Sequence, residues 1–425
     1  MKILHILYES KGDYFGTGGV GTRAYEIYKY LKDRHDVTLL CKKYPGAKNR
    51  EMEGLRHIFA GTESKSLTKT LLLYAYRAAS FVRRHGEKFD IIIEEFSPAI
   101  PTFLHIFTRK PLVLQVQGYT GRLYFKKYNL VYALFLYFME YLRPKFYKNF
   151  IFVNTETLRR VLSEDISSDR RDACPTSYIF PCISRSGVSP DLPVKRLLPD
   201  NPPTPPLVKG GEGGFFPLKT KKVIAIIPNG ISPELLDTSP EDGDYILYLG
   251  RIDIYGKGLD ILIKAYKEFY KSFPDIRLVI AGDGKDMEGF KSMLAELPED
   301  VRKNLALTGW VSGDKKTEVI RKALFCVFPS RHEVQPISVL EAMACSKAVI
   351  VSQISGFDFV IQKGTGIAFA FEDPYSLSQT MQELMVSNKR QEMGLRGRNW
   401  VKEFTWERVA SKYEEFINGV YRRHS

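Results

Sequence analysis

The chain has 425 residues, 44% hydrophobic and 26% charged, which is globular composition and too long for one domain. Its net charge of +13 is unevenly held: residues 1–150 carry 25 Lys+Arg against 13 Asp+Glu, and the other 275 carry 37 against 36. A nucleic-acid coat would not be confined to one half, so an anionic surface or ligand is expected there and no nucleic acid. The chain opens on an apolar stretch at 3–8 that predicts a first strand, since no small-residue cleavage site follows it. Gly16-Thr17-Gly18-Gly19-Val20-Gly21 comes next, before a predicted helix at 24–32. The motif satisfies G-x-G-x-x-G, a dinucleotide fingerprint. Seven residues separate it from the strand, however, and the second strand, 37–41, runs into Lys42-Lys43 without the acid that would hold a ribose. A flexible connection is one alternative. A helix N-terminus offering backbone N–H groups to a phosphate is the favoured one.

A helix is predicted over 69–84, with strands at 91–95 and 112–116, the latter followed by Gln117-Gly118. Residues 121–149 combine Arg122, Lys126, Lys127, Arg143, Lys145 and Lys148 with many Phe and Tyr and one acid, Glu140. Cations beside an aromatic-rich helix (128–142) suit an anionic membrane surface; an ordinary packed helix with solvated flanks is the alternative. The longest apolar run, 130–139, is half of the ~20 residues that a spanning helix needs. After a strand at 150–154, residues 168–222 break the pattern. Ten of the 23 prolines lie between Pro175 and Pro217, around NPPTPPLVKGGEGGFFP, so an insert without regular structure is expected. The pattern resumes at 223–228, and Asn229-Gly230 marks a turn.

A second series of strands then begins, at 245–249, 277–281, 305–308, 325–328 and 348–351. Two strand–helix series predict two doubly wound parallel sheets of the α/β class, with ligands beyond the carboxyl ends of the strands. Gly250-Arg251 leaves the first of these strands and Gly256-Lys257-Gly258 opens a helix. A bidentate guanidinium beside a point-charge ammonium suits a diphosphate leaving group. In Phe328-Pro329-Ser330-Arg331-His332-Glu333-Val334-Gln335-Pro336-Ile337-Ser338-Val339-Leu340-Glu341, Pro336 reads as a first helical residue. Glu333 and Glu341 then flank the helix start, where each carboxylate can hold a pair of sugar hydroxyls. His332 has no assigned role. The five cysteines, Cys41, Cys174, Cys182, Cys326 and Cys345, lack zinc-site spacing and point to a reducing, cytoplasmic compartment.

These motifs, with Ile227-Pro228-Asn229-Gly230-Ile231, Ala281-Gly282-Asp283-Gly284, Thr308-Gly309-Trp310-Val311, Glu341-Ala342-Met343-Ala344 and Phe404-Thr405-Trp406, resemble the retaining nucleotide-sugar glycosyltransferases of the GT-B fold, family 4 (group 1). The resemblance spans all but the insert. It implies two Rossmann-like domains facing each other across a cleft: an acceptor domain at 1–232, a donor domain at 233–402, and a helix at 403–425 packing back towards the first. It implies that Arg251 and Lys257 neutralise the leaving diphosphate, that Glu333 binds the sugar hydroxyls and Glu341 the ribose, and that the backbone at Val311 faces the base. Gly18, Gly19, Gly118 and Gly250 would line the donor. Gly19, Ile337 and Ser338 would offer N–H groups, as would the Ser338 hydroxyl. The implied donor is a UDP- or GDP-sugar with no metal or other cofactor, and the implied acceptor a glycan or lipid for the cell surface, met at the inner face of the membrane.

Three departures stand out. Gln117-Gly118 replaces the usual His-Gly, Val334-Gln335-Pro336 the usual Gly-Phe-Gly, and Ser355-Gly356-Phe357-Asp358-Phe359 the usual Gly-Gly-x-x-Glu. Gln117 can donate to a sugar hydroxyl or accept from it. The alternative functions are a catalytically silent nucleotide-sugar binder and, from the first loop, an NAD(P)-dependent oxidoreductase.

Overall fold

The computed structural model describes residues 1–10, 18–64, 66–162, 216–217 and 222–424. Gly16, Thr17, Cys174, Cys182 and most of the 168–222 insert lie outside the described residues. Nine strands form the first sheet: β1 (Lys2–Leu7), β2 (Asp36–Lys42), β3 (Arg50–Met52), β4 (Leu55–Ala60), β5 (Ile91–Glu95), β6 (Leu112–Val116), β7 (Asn149–Phe152), β8 (Phe216–Pro217) and β9 (Val223–Ile226). Their order is β3-β4-β2-β1-β5-β6-β7-β9-β8, parallel except for the antiparallel edge pairs β3–β4 and β8–β9. The second sheet holds β10 (Tyr245–Leu249), β11 (Arg277–Ala281), β12 (Leu305–Gly309), β13 (Cys326–Phe328), β14 (Val349–Ser352) and β15 (Gly366–Phe369), all parallel in the order β12-β11-β10-β13-β14-β15.

The two doubly wound sheets expected from the alternating pattern are present. Their central strands carry apolar runs because helices cover both faces; Ile91, Ile92 and Ile93 of β5, for example, are fully buried. The β3–β4 hairpin was not anticipated. Its two-residue turn, Glu53-Gly54, has positive φ at both positions (56° and 75°), which is the turn that favours a Gly second residue. The insert also needs a correction at its end: Phe216 and Pro217 pair with Ile224 and Val223 as an edge strand. Pro217 is tolerated there because an edge strand has one unpaired side.

The two sheets are joined at 227–238, and Ile231 and Leu235 already belong to the core of the second domain. The last helix, Trp406–His424, crosses back. Its Trp406, Val409, Ala410, Tyr413, Phe416, Ile417 and Val420 enter the core beneath β1, β2 and β5 beside the Gly19–Leu31 helix. A parallel bridge between Ile231 and Thr405 fastens the outgoing and returning chains to each other. Phe416→Ala empties a fully buried position and should destabilise the first domain by about 3–5 kcal/mol. Urea denaturation should show a lower midpoint for that domain; an unchanged midpoint would mean that the helix is only loosely attached.

Candidate active site

The carboxyl ends of both sheets face each other across a cavity of about 420 Å³. From the first sheet, the chain leaving β1 supplies Glu9, the start of the next helix supplies Gly18 and Gly19, and the chain leaving β6 supplies Gln117. From the second sheet, β10 delivers Gly250 and Arg251, β12 delivers Trp310 and Val311, and the loop after β13 delivers Glu333. Ile337, Ser338 and Glu341, on the Ile337–Ala344 helix, complete that wall with Lys257. Eleven of the twelve residues singled out in the sequence therefore line one cavity. The twelfth, Gly118, lies behind it: a Cβ there would stand 3.5 Å from Val334, which does line it.

Two glycines let the second wall form. Gly258 has φ +66°, and a Cβ on it would lie 2.0 Å from the Pro329 carbonyl oxygen; it fixes Lys257 at the start of the Leu259–Tyr270 helix. At Gly282 a Cβ would lie 1.8 Å from the Gly250 carbonyl oxygen, so only glycine lets the exit of β11 pass the exit of β10. Pro336 is corrected by one position. It is the N-cap with extended ψ (127°), and the helix begins at Ile337.

The charged groups are arranged in pairs. Lys257 Nζ is hydrogen bonded to Glu333 Oε1, which also accepts from Ser330 Oγ at 2.9 Å. Lys316, which no sequence signal marked, pairs with Glu341 Oε1 at 2.5 Å. Arg251 reaches across the cleft: a Cβ on Gly18 would meet its Nη2 at 2.2 Å. Glu9 was also missed, although it directly follows the first strand. Its Oε2 accepts from the N–H groups of Gly18 (2.8 Å) and Gly21 (2.7 Å), so a carboxylate sits at the helix N-terminus facing Arg251. Helix N–H groups and a guanidinium around one point form an anion seat. His332 joins the cavity with its imidazole held below the usual pKa, by burial first and then by Lys127.

Gln335 explains the second departure. Asn229 donates to it twice, from its backbone N to Oε1 (2.6 Å) and from Nδ2 to the backbone carbonyl (2.7 Å). The residue where the family has Phe thus ties the Glu333 loop to the interdomain turn. Asn154 Nδ2 also donates to the Val334 carbonyl at 3.0 Å.

Burial raises the pKa of Glu9, while the Gly21 and Gly18 N–H groups and Arg251 pull it down without cancelling the rise. A carboxyl whose folded pKa lies above its unfolded value costs stability once it ionises, so the loss grows as pH rises from the ordinary carboxylate range through the raised pKa. Glu9→Gln keeps an acceptor for the two N–H groups and removes the charge. Its melting temperature should exceed that of wild type near pH 7, with the gap closing towards about pH 4. A gap independent of pH would show that the carboxylate is not strained by its site.

A family model described as glycosyl transferases group 1 matches residues 237–400, and one described as glycosyltransferase family 4 matches residues 17–173. The chain is 32% identical over 209 residues to an uncharacterized glycosyltransferase of Methanocaldococcus jannaschii, covering 47% of this chain and 55% of that one. It is 32% identical over 145 residues to a phosphatidyl-myo-inositol mannosyltransferase of Mycolicibacterium smegmatis, covering 32% and 36%. The matches thus span about half or less of these relatives' lengths. The structure resembles that of HepE from Anabaena, solved in complex with UDP and glucose, with a TM-score of 0.66 at 14% identity over 98% of this chain and 99% of the other. With two facing Rossmann-like sheets and both halves matched by these family models, the chain belongs to the GT-B glycosyltransferases of family 4, group 1.

Proposed function

We propose that this protein transfers a sugar from a nucleoside diphosphate to a glycan or lipid-linked acceptor, with retention of anomeric configuration. One observation carries the reading: Arg251 and Lys257 on one wall face the N-terminus of the Gly19–Leu31 helix on the other, around a single cavity that also holds Glu333 and Glu341. Fixed cations and backbone N–H groups aimed at a departing diphosphate stabilise the charge that develops as the glycosidic bond breaks. Glu333 would hold sugar hydroxyls, Glu341 the ribose, and the exposed indole of Trp310 beside Val311 would flank the base. Lys257 and Lys316, now paired with these two glutamates, hold the carboxylates ready and would share them with the donor. In this reading no metal is required, because Arg251, Lys257 and the helix N-termini carry the electrostatic task. The donor would be a UDP- or GDP-sugar; the likeness to HepE, complexed with UDP and glucose, supports the former.

Arg251→Ala and Lys257→Ala should each lower transfer or donor hydrolysis by a factor of about 10² or more, as loss of a transition-state contact does. Their melting temperature should hold, and wild-type activity should persist in excess chelator. NMR of the product should show the donor's anomeric configuration. A panel of UDP- and GDP-sugars that binds but is never turned over would favour a silent binder.

The acceptor reading extends to a membrane. In the Leu130–Leu142 helix only Ala133, Leu136 and Glu140 are buried, while Val131 is 79%, Leu134 51% and Phe138 53% exposed. That departs from an ordinary packed helix. Glu140 is turned inward, accepting from the Thr120 and Gly121 N–H groups at 2.8 and 2.7 Å, so it adds no charge to this face. Arg143 leaves the set of surface cations: it is fully buried and bonded to Glu94 at 2.5 Å. Arg122, Lys126, Lys127, Lys145 and Lys148 remain exposed around the apolar stripe. No helix among the described residues is long and apolar enough to cross a membrane. The occupant we assign to this face is the anionic inner leaflet, where each cation contributes about 1 kcal/mol. Sedimentation with phosphatidylserine-containing vesicles should show binding that salt weakens and that Lys126, Lys145 and Lys148→Glu, or Leu134 and Phe138→Ser, abolish. Equal binding to neutral vesicles, or self-association through this face in the ultracentrifuge, would overturn it.

A further inference from the structure

Behind the cavity lies a buried polar group that the donor-site residues alone do not explain. Glu95 ends β5 beside Gln115 of β6, its register partner, and its side chain is 1% exposed. Its Oε1 accepts from Gln115 Nε2 at 2.5 Å and stands 3.3 Å from His5 Nε2. Gln117 Nε2 lies 3.0 Å from both carboxylate oxygens. His5 is in turn fixed through Nδ1 to the Tyr28 hydroxyl at 2.8 Å.

A carboxylate only accepts hydrogen bonds, so the Gln117 atom facing both its oxygens is the amide nitrogen. That assigns the other end. The carbonyl oxygen of Gln117 points away from Glu95, on a residue that lines the cavity. Gln115 is the informative contrast: held by the same carboxylate, its oxygen is buried without a partner, whereas that of Gln117 is not among the orphaned buried atoms. Removing either glutamine would leave a buried carboxylate short of donors, which is costly, so the amide is held against rotation.

We propose that Glu95 is a positioning residue that fixes Gln117 as a hydrogen-bond acceptor for one hydroxyl of the donor sugar. The proposal rests on the nucleotide-sugar reading of the cavity and sharpens it: the subsite selects a sugar that carries a free, donating hydroxyl at that ring position. A site built around an acceptor discriminates strongly against an analogue that cannot donate, because its oxygen is left desolvated and unpaired.

Binding measured by calorimetry without acceptor isolates the donor sugar. The probes are UDP-glucose, UDP-galactose, UDP-N-acetylglucosamine and GDP-mannose, free UDP and GDP, and the deoxy and deoxyfluoro forms of whichever sugar adds affinity. At one ring position, deoxy and deoxyfluoro analogues should both bind at least about tenfold more weakly than the parent, because fluorine accepts and never donates. Gln117→Leu should erase that difference at that position alone. Glu95→Gln, which lets the amide turn over, should shrink it while leaving the affinity for free UDP or GDP unchanged. Gln117→Leu leaves Gln115 donating to the carboxylate and tests the Gln117 acceptor even where Glu95→Gln does not fold. Fluorine tolerated at every position, discrimination that survives Gln117→Leu, or sugars that add no affinity to the free diphosphate would each overturn the proposal. Failure of free UDP and GDP to bind would instead bring down the donor-site reading beneath it.

Discussion

The geometry of the cleft depends on one buried guanidinium. Arg23, on the Gly19–Leu31 helix, is fully buried and donates to the Ile227 carbonyl at 2.8 Å, the Pro228 carbonyl at 2.6 Å and Asn229 Oδ1 at 3.0 Å. Burial lowers its pKa to about 10, against the pull of Glu95 and Tyr413, so it stays protonated at neutral pH. Asn229 passes the constraint on, since its own N–H groups are held by Gln335. A chain of short polar contacts thus runs from the helix that presents Gly19, through the interdomain turn, to the loop that presents Glu333. A buried charge with three acceptors is costly to form in another arrangement, which makes the relation between the two walls specific rather than merely stable.

That constraint shows why the fold was legible in the sequence while part of the site was not. Parallel strands covered on both faces leave runs such as Ile91-Ile92-Ile93, and two alternating series of them announced two sheets. The residues at strand ends were equally visible: Gly250-Arg251 and Gly256-Lys257-Gly258 combine charge with glycines whose need for close approach is met at Gly258. Pairings between distant segments leave no such mark. Nothing in Arg23, Asn229 or Gln335 shows that they meet, because each contact spans more than one hundred positions. Gln335, read only as a departure from the family's Phe, proves to be a tether. Arg143 read as a surface cation because charge counts cannot distinguish it from Lys145, yet it fills a buried pocket against Glu94. Glu9 escaped notice for a different reason: a lone acid after a strand is common, and only the fold places it against Gly18 and Gly21.

Glu9 and the exposed aromatic helix both belong to the first domain but stand at different places on it. On the first domain a carboxylate occupies the helix N-terminus, and under the proposed reading a donor phosphate would compete with it for the same N–H groups. The second domain brings Arg251 to that point. The basic excess of the first domain lies elsewhere, around the Leu130–Leu142 helix, and reaches the cavity through Lys127, which bears on His332. The apolar helix face with its flanking cations and the cavity that holds Arg251 and Lys257 thus draw on different residues of the chain.

Under the proposed function the facing walls form a seat for a diphosphate. Calorimetric titration of the full chain with UDP and UMP, and in parallel with GDP and GMP, tests it most directly. Loss of the β-phosphate should weaken binding at least about tenfold for the nucleotide that fits, since charge-assisted contacts from Arg251, Lys257 and the helix N-terminus act on it. A monophosphate that binds as tightly as its diphosphate would contradict the account.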